Sequence, residues 1–180
     1  MPVVGSPDRP ELEQSIHLVP RPVQTMKKLL LQLDSNRLAS AFDEVVAHDA
    51  GADAIMQRSG VTDADVRDLI HGCIFTRGPK DLRNTAVFIG GSDMPAGEEL
   101  IAAAQKSVFG PFRVSMMLDS NGSNTTAVAA VVKITRAVGE IRDRRVVITA
   151  GTGPVGTRAA GLLAKSGAHV TITSRRQEEG

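Results

Sequence analysis

Short apolar runs alternate with amphipathic stretches along most of this chain. Compact runs, rich in Val, Ile, Leu and Phe, predict strands at residues 28–33, 54–57, 85–89, 113–118, 146–149 and 169–173. Apolar residues at helical spacing between these runs predict helices at residues 40–50, 63–71, 95–109, 125–138 and 155–166. Strands that alternate with helices form parallel sheets with right-handed crossovers, so the predicted class is α/β with open parallel sheets.

The helical spacing also predicts which side chains face the core. The helix at 40–50 should turn inward Phe42, Val45, Val46 and Ala50. In the helix at 95–109 the inward set is Leu100, Ile101, Ala104 and Val108. The helix at 125–138 is apolar nearly all round, which predicts that it is sandwiched between other elements.

Local signals mark the ends of the helix at 63–71. Thr62 is a good N-cap and Asp65 lies three residues later, which predicts an imperfect capping box. Gly72 is predicted to end this helix, and residues 74–76 are predicted to be extended again.

The chain is predicted to have three parts. Residues 1–25 contain five prolines and no apolar periodicity, so they are predicted to form a disordered extension. The charged stretch 139–144 predicts a boundary between an N-terminal α/β domain at 26–139 and a second unit at 140–180. No internal repeat or low-complexity segment stands out.

The most informative segment begins with the strand at 146–149. Gly151, Gly153 and Gly156 follow it as a G-x-G-x-x-G turn that leads into a helix and a further strand. In dinucleotide-binding folds the first glycine permits the tight turn, the second admits the pyrophosphate, and the third lets the helix pack closely. The helix N-terminus then favours the phosphates. The predicted cofactor-binding residues of the turn are Gly151, Thr152, Gly153, Pro154, Val155 and Gly156.

The residues after the last strand indicate which nucleotide is bound. A carboxylate there would bind the 2′-hydroxyl of NAD, whereas this chain has Ser174, Arg175 and Arg176. A hydroxyl and two guanidinium groups suit a 2′-phosphate, so NADP is the predicted cofactor and NAD the alternative. The alternative without a ligand is a solvated basic turn.

Composition argues against several other functions. A net charge of +1 gives no electrostatic basis for binding nucleic acid or anionic membranes. No apolar run approaches the roughly 18 residues of a membrane span. Cys73 is the single cysteine and the four histidines have no ligand spacing, which excludes an internal disulfide and argues against a metal site. A cytoplasmic, metal-free protein is therefore the default expectation.

Three polar loops form a second group of candidate residues. They lie at 76–80, 90–93 and 118–126, and the last two follow strands of the predicted sheet. Ligands of open α/β sheets bind beyond the carboxyl ends of the strands. The loop 118–126 has more hydrogen-bonding groups than a helix cap requires, which indicates recognition of a flat, amide-rich substrate. An elaborate turn with a helix cap is the alternative.

Five segments of the chain resemble the bacterial NAD(P)-dependent methylene-tetrahydromethanopterin dehydrogenases. They are LLLQLDSN, IFTRGPK, TAVFIGGSDMPAGE, FGPFRVSMMLDSNGSNTTA and VVITAGTGPVGTRAAGLLAKSGAHVTITSRR. The resemblance covers residues 27–176, and GPFRVSMMLDSNGSNTTA is its most distinctive part. It implies a two-domain, cytoplasmic, oligomeric oxidoreductase of one-carbon metabolism. Such enzymes pass a hydride from the methylene group of tetrahydromethanopterin to NAD(P)⁺, in the formaldehyde oxidation of methylotrophs.

The resemblance also implies roles for residues of the polar loops. The pterin would lie in the cleft between two domains, where Asp119 would stabilise the cation that forms as the hydride leaves. No dedicated general base is needed, because the two nitrogens that flank the methylene carbon share the positive charge. The residues expected to bind the substrate are Arg77, Lys80, Asp93, Asn121 and Asn124.

Several alternatives stay open from the sequence. Methylene-tetrahydrofolate dehydrogenases use the same kind of cleft, and these residues do not separate the two carriers. A non-catalytic NADP- or pterin-binding protein is a further alternative, whereas a shikimate-dehydrogenase-like enzyme would lack the loop 118–126. The chain has no tyrosine, so the Tyr-x-x-x-Lys cyclohydrolase chemistry of bifunctional folate enzymes is not expected.

The length of the chain departs from the resemblance. Residues 140–180 supply only the first β-α-β unit of a Rossmann fold, and about a hundred further residues would complete it. The second domain is therefore expected to be an incomplete Rossmann fold, and the chain a fragment or a truncated product. An open strand edge is expected to make such a chain marginally stable, prone to aggregate or dependent on association.

Overall fold

The computed structural model describes residues 26–175. The predictions for residues 1–25 and for Arg176 therefore lie outside the described residues. Within 26–175 six strands alternate with five helices, and short 3₁₀ turns lie at Leu82–Asn84 and Ser120–Gly122. The elements are β1 (Leu29–Leu33), α1 (Ala41–Asp49), β2 (Ala54–Arg58), α2 (Asp63–Ile74), β3 (Thr85–Ile89), α3 (Met94–Ser107), β4 (Ser115–Leu118), α4 (Ser123–Val138), β5 (Arg145–Ile148), α5 (Pro154–Lys165) and β6 (His169–Ile172).

These strands form two parallel sheets. The first has the order β2-β1-β3-β4, and each neighbouring pair is parallel. The second consists of β5 and β6, also parallel, with Val146 opposite Val170. The predicted α/β class with parallel sheets is confirmed. From β1 the chain runs through α1 to β2, on one side of β1. It then crosses to β3 on the other side of β1 and continues outward to β4.

One face of the four-stranded sheet carries the main core. Alternate residues of β1 and β3 are buried there, namely Leu31, Leu33, Val87 and Ile89. Helices α2 and α3 cover this face with buried apolar side chains, which include Val66, Ile70, Ile74, Leu100 and Ala104. The inward face predicted for α3 is confirmed, because Leu100 and Ala104 are buried and Ile101 and Val108 pack against the same cluster.

The opposite face of this sheet is only partly covered, and the prediction for α1 is wrong. Phe42 is 76% exposed, and Val45 and Val46 are exposed as well. Ala50, which follows the helix, is also exposed. Helical spacing identifies an apolar face, but burial also requires a neighbouring element that covers it. Phe42 and Val46 instead border a groove on the sheet.

Helix α4 is not sandwiched either, so this prediction is also wrong. Its Ala127 is buried and the helix packs along α5, whereas Val128, Val132 and Val138 are exposed. An apolar sequence all round a helix allows burial on several sides. Within residues 26–175, only part of that surface meets another element.

Helix α2 is longer than predicted, because Gly72 does not end it. The helix continues through Cys73 and Ile74, both of which are buried, so the predicted extended segment at 74–76 is wrong. A glycine inside a helix costs about 1 kcal/mol. Burial of an isoleucine side chain contributes about 1.5–3 kcal/mol, which outweighs this weak stop signal.

The capping box at the start of α2 is confirmed. The backbone N–H of Thr62 donates to the Asp65 carboxylate at 2.9 Å, and the Thr62 hydroxyl donates to the same carboxylate at 2.7 Å. These two bonds, the backbone bond first, hold the pKa of Asp65 below its ordinary value.

The predicted boundary at 139–144 falls between α4 and β5, and the division into domains stays a prediction. Gly139 ends α4 with a φ of 74°, a conformation that favours glycine. Two contacts join the segments on either side. Helix α4 packs along α5, and Arg158 of α5 forms an ion pair with Glu98 of α3.

We expect Asp65→Asn to lower the melting temperature at neutral pH and to lose this effect in acid. A carboxyl whose pKa is lowered by folding contributes stability above its unfolded pKa, and this contribution is lost as pH falls through the lower folded value. The difference between the two proteins should therefore shrink below about pH 4. Thermal unfolding across pH measures it, with Asp63→Asn as the control that removes a first-turn charge without a Thr62 bond. A difference that is independent of pH would contradict the prediction.

Candidate functional site

The carboxyl ends of β1, β3 and β4 meet at one edge of the four-stranded sheet. The loops that follow these strands are joined by hydrogen bonds. The backbone N–H of Asn121 donates to the Gly91 carbonyl at 2.7 Å, and the Ser92 hydroxyl donates to Asn36 Oδ1 at 2.8 Å. The crossovers change direction between β1 and β3, and ligands of open α/β sheets bind at such a point. This edge is therefore the first candidate for a binding site.

Two aspartates, Asp34 and Asp119, organise this edge in the same way. Asp34 is fully buried and accepts the backbone N–H groups of Asn36 at 2.8 Å and Ser40 at 3.0 Å. Asp119 accepts the N–H groups of Asn124 at 2.8 Å and Thr125 at 3.0 Å, and the Thr125 hydroxyl at 2.6 Å. Each carboxylate thereby fixes the loop that leads into the next helix.

The two aspartates belong to a repeat that the sequence-based prediction missed. Leu-Asp-Ser-Asn occurs at 33–36 and again at 118–121, and each time its leucine is the last residue of a strand. Only the second copy was singled out as a candidate site. The identical tetrapeptide after a second strand was a signal that both loops lie at the same sheet edge.

The other predicted residues of this edge also make structural hydrogen bonds. Asp93 caps α3 by accepting the N–H of Ala96 at 3.0 Å. The Asn124 amide donates to the Leu118 carbonyl at 2.7 Å. Asn121 is exposed and has a φ of 57°, in the left-handed region. These bonds agree with an elaborate turn and cap, and a role in binding stays a prediction.

Arg77 and Lys80 are not brought to this edge. The Arg77 guanidinium donates to the Asn84 carbonyl at 3.0 Å and to the Thr85 hydroxyl at 3.1 Å. Thr85 begins β3, so Arg77 lies at the amino end of the sheet, away from Asp119. Lys80 is exposed in the same connection before β3.

A groove lies on the partly covered face of the sheet, beside the carboxyl edge. This sheet-face groove has a volume of about 450 Å³ and is bounded by α1 and the start of α4. Its walls are mainly apolar, with Leu30, Phe42, Val46, Phe88 and Met117. Asp43, Asp119 and Thr125 add polar groups to it. An apolar cavity with a few convergent polar groups is typical of a small-molecule site.

Asp43 is a candidate residue that the sequence-based prediction missed. Burial raises the pKa of this carboxyl, the charges of Asp34 and Asp119 raise it further, and a hydrogen bond with Ser40 partly opposes them. A Cβ atom on Gly90 would lie 2.9 Å from Oδ2 of Asp43, so glycine at this position leaves room for the carboxylate. From sequence, Asp43 is an ordinary first-turn acid of a helix, and only the order of the strands places it beside the edge.

The glycine turn after β5 has the geometry that a dinucleotide site requires. A Cβ on Gly151 would lie 2.7 Å from the Cβ of Ile172, and a Cβ on Gly156 would lie 2.8 Å from the Cα of Gly151. Both positions therefore exclude a side chain. A Cβ on Gly153 would meet only the Ala150 carbonyl oxygen, at 3.6 Å. The fold thus leaves space at Gly153, where a pyrophosphate would approach the backbone.

The surroundings of this turn also agree with its prediction. The N–H of Gly151 donates to the Thr173 carbonyl at 2.9 Å, which ties the turn to the end of β6. Pro154 is the first residue of α5, where its missing N–H costs little. The hydroxyls of Thr152 and Ser174 lie 3.5 Å apart. Val155 follows in the first turn of α5, and Arg175 is exposed beyond β6.

A second groove, of about 640 Å³, lies between α4, β5 and α5. It is lined by the glycine turn from Gly153 to Gly156 and by apolar residues such as Ile134 and Leu163. Asn121 also lines this α4–α5 groove. The loop 119–125 therefore borders both grooves, with Asp119 and Thr125 at one and Asn121 at the other.

Residues 26–175 lack the features of two other kinds of site. No group of three or more His, Cys, Asp or Glu residues in this range is arranged to hold a metal ion. None of the helices in the same range combines the length and apolarity that a membrane span requires.

This chain is similar in sequence to one family model and to two proteins of one organism. Residues 41–121 match the family model described as methylene-tetrahydromethanopterin dehydrogenase, N-terminal. A relative named bifunctional protein MdtA, from Methylorubrum extorquens AM1, is 49% identical over 154 residues, which are 85% of this chain and 54% of the relative. The NAD(P)-dependent methylenetetrahydromethanopterin dehydrogenase of the same organism is 32% identical over 158 residues, 85% of this chain and 53% of the relative. The resemblance seen in the sequence is confirmed, and the chain spans about half the length of these relatives.

We expect substitutions at Gly153 and Gly156 to separate ligand binding from folding. Gly153→Ser should keep the fold, because serine is a good N-cap and its Cβ has an ordinary contact, but should weaken NADP binding at least tenfold by filling the space for the pyrophosphate. Gly156→Ala should destabilise the fold by about 1–3 kcal/mol, because its Cβ would overlap the backbone of Gly151.

Thermal unfolding and titration with NADP measure the two effects. Wild-type affinity in a folded Gly153→Ser protein would contradict the assignment of this turn to the cofactor.

Proposed function

Because this chain is related to the methylene-tetrahydromethanopterin dehydrogenases, we propose that the protein oxidises methylene-tetrahydromethanopterin to the methenyl form and passes the hydride to NADP⁺. NAD⁺ is the alternative acceptor. The observation that carries this proposal is the position of the loop 119–125. It borders an apolar groove with carboxylates on one side and the groove of the glycine turn on the other. A pterin and a nicotinamide held at these two places would share this loop.

The cofactor would be held by the β5-α5-β6 unit. The space at Gly153 and the N-terminus of α5 suit a pyrophosphate, which carries negative charge. Ser174, Arg175 and Arg176 supply a hydroxyl and two guanidinium groups for a 2′-phosphate. The relative that is 32% identical is named NAD(P)-dependent, which agrees with NADP as the first choice and NAD as the second.

The chemistry asks the protein to hold two flat rings and to favour a positive charge. The methylene carbon loses a hydride, which carries both electrons of the C–H bond to the nicotinamide ring. The cation left behind is shared by the two flanking nitrogens, so no proton has to be removed. The protein then acts through position and electrostatics, which are large terms in catalysis.

Asp119 is the residue we propose to stabilise this cation. Its carboxylate accepts three hydrogen bonds from Asn124 and Thr125, which hold it in place. A carboxylate has about four acceptor positions, so this one keeps capacity and negative charge for a ligand. Asn121, which lines the α4–α5 groove, Asn124 and Asp93 are proposed to bind polar edges of the pterin. Arg77 and Lys80 are left out, because they lie at the amino end of the sheet.

There are two alternative functions. A tetrahydrofolate carrier would undergo the same hydride transfer at the same loop. A protein that binds NADP or a pterin without turnover is the other alternative. The name bifunctional protein MdtA does not say which two activities that relative has. We also propose that the protein acts in the cytoplasm as a homo-oligomer, as the family resemblance implies.

Arg175→Glu is expected to reverse the cofactor preference. A guanidinium paired with a phosphate contributes about 1.5–3 kcal/mol, so NADP affinity should fall at least tenfold while NAD affinity changes little. Arg136→Glu, which makes the same charge change on the exposed end of α4, is the control. Equal loss of both nucleotides, or no loss of either, would contradict the assignment of the 2′-phosphate.

The reaction itself is tested with methylene-tetrahydromethanopterin and NADP⁺, by the absorbance of the reduced nicotinamide. We expect reduction with the methanopterin carrier and a loss of at least tenfold in kcat for Asp119→Asn. Faster reduction with methylene-tetrahydrofolate would favour the folate alternative. Binding of both ligands without reduction would favour a binding protein.

A further inference from the structure

We propose that Asp43 is a substrate-specificity residue, whose carboxylate accepts hydrogen bonds from the 2-amino and N3–H edge of a pterin in the sheet-face groove. This inference rests on the proposed function and adds a residue to it. None of the sequence signals pointed to Asp43, which lies in the first turn of α1.

The sheet-face groove suits one kind of occupant, a flat heterocycle with hydrogen-bond donors on one edge. Its walls are aromatic and aliphatic side chains, and Phe42, Val46 and Met117 are exposed. Its charged groups are two carboxylates, and the described residues that line it include no Lys or Arg. A pterin has two apolar faces and an edge with adjacent N–H donors, which matches both features.

Asp43 differs from the two neighbouring aspartates in its contacts. Asp34 accepts two backbone N–H groups, and Asp119 accepts two together with a hydroxyl. The Asp43 carboxylate has a hydrogen bond with the Ser40 side chain, whose oxygen also accepts the Asp43 backbone N–H at 3.2 Å. The Asp43 carboxylate therefore keeps more acceptor capacity for a ligand than the carboxylates of Asp34 and Asp119, which also fix their loops.

The position of Asp43 has a cost that a structural role does not explain. It faces Asp34, which follows β1, and Asp119, which follows β4, and both charges disfavour its ionised form. Position 90 is also a glycine, and a Cβ atom there would collide with the Asp43 carboxylate. Strained or repulsive arrangements of this kind are typical of sites selected for function.

The sign of this effect gives a test that is independent of binding. Burial and like charges raise the pKa of Asp43, so its stabilising contribution is present below its unfolded pKa and is lost as pH rises through the folded value. At neutral pH the ionised carboxyl destabilises the fold. Asp43→Asn should therefore raise the melting temperature at neutral pH, and this gain should shrink in acid.

The binding experiment is a calorimetric titration of tetrahydromethanopterin into wild type, Asp43→Asn and Glu44→Gln. Glu44 is the matched control, because it lies in the same helical turn but does not line the groove. We expect Asp43→Asn to weaken pterin binding at least tenfold, while Glu44→Gln binds as wild type does. NADP affinity should be the same in all three proteins.

A second titration identifies the edge that Asp43 contacts. 6,7-Dimethylpterin carries the 2-amino group, and 6,7-dimethyllumazine has a carbonyl in its place. Wild type should prefer the pterin at least tenfold, and Asp43→Asn should lose most of this preference. The absence of Trp and Tyr leaves the fluorescence of these rings free of indole and phenol emission.

The outcomes separate this inference from the proposed function. Tight pterin binding by wild type and equally tight binding by Asp43→Asn would overturn the role of Asp43 and leave the function standing. No pterin binding by wild type would overturn both.

Self-association that Phe42→Ser abolishes, without pterin binding, would assign the groove to a second copy of the chain and overturn the inference. A lower melting temperature for Asp43→Asn at neutral pH would make its role structural, and would overturn it as well.

Discussion

Parallel pairing on both sides of β1 is the constraint on which the rest of this structure depends. Parallel strands need crossover helices, so the carboxyl ends of β1, β3 and β4 come to one edge and bring their loops together. The crossovers leave β1 in one direction and pass it in the other, and ligands of open α/β sheets bind at such a point. The core of Leu31, Val87, Ile70 and Leu100 packs on one face of the sheet, and the other face is only partly covered.

The aspartates at the carboxyl edge are important both for the structure of the loops and for the proposed binding of a ligand. Asp34 and Asp119 accept hydrogen bonds from backbone N–H groups, and these bonds fix the loops that lead into α1 and α4. Rigid loops of this kind are what a binding site requires, because a site that is already formed loses less entropy when it binds. Asp43 stands beside them with a raised pKa and few contacts, at a cost to stability. Two of the carboxylates thus fix the loops of this edge, and we propose that Asp119 and Asp43 also act on a ligand.

The three glycines of the turn after β5 differ in the space around them. Gly151 and Gly156 are required by the fold, since a Cβ at either would overlap β6 or the turn itself. Gly153 has room for a Cβ within the protein, so packing does not require glycine there, and the proposed pyrophosphate contact would. The motif alone predicts all three glycines, whereas the distances separate the two that the fold requires from the one that we propose to admit the cofactor. Through the loop 119–125 this turn is close to the carboxyl edge.

The sequence by itself determined the alternation of strands and helices, the parallel class, the capping box at Thr62 and the glycine turn. These depend on local spacing and on short-range hydrogen bonds, which a linear pattern records. It also singled out Asp119 as a candidate, because that residue lies in an unusually polar loop, and the role of Asp119 stays a prediction. Only the tertiary structure decided that Phe42 stays exposed, that α2 continues past Gly72, that Arg77 lies at the far end of the sheet, and that Asp43 faces Asp34 and Asp119. Each of these depends on which elements become neighbours, and burial and charge interactions arise between residues that are distant in the chain.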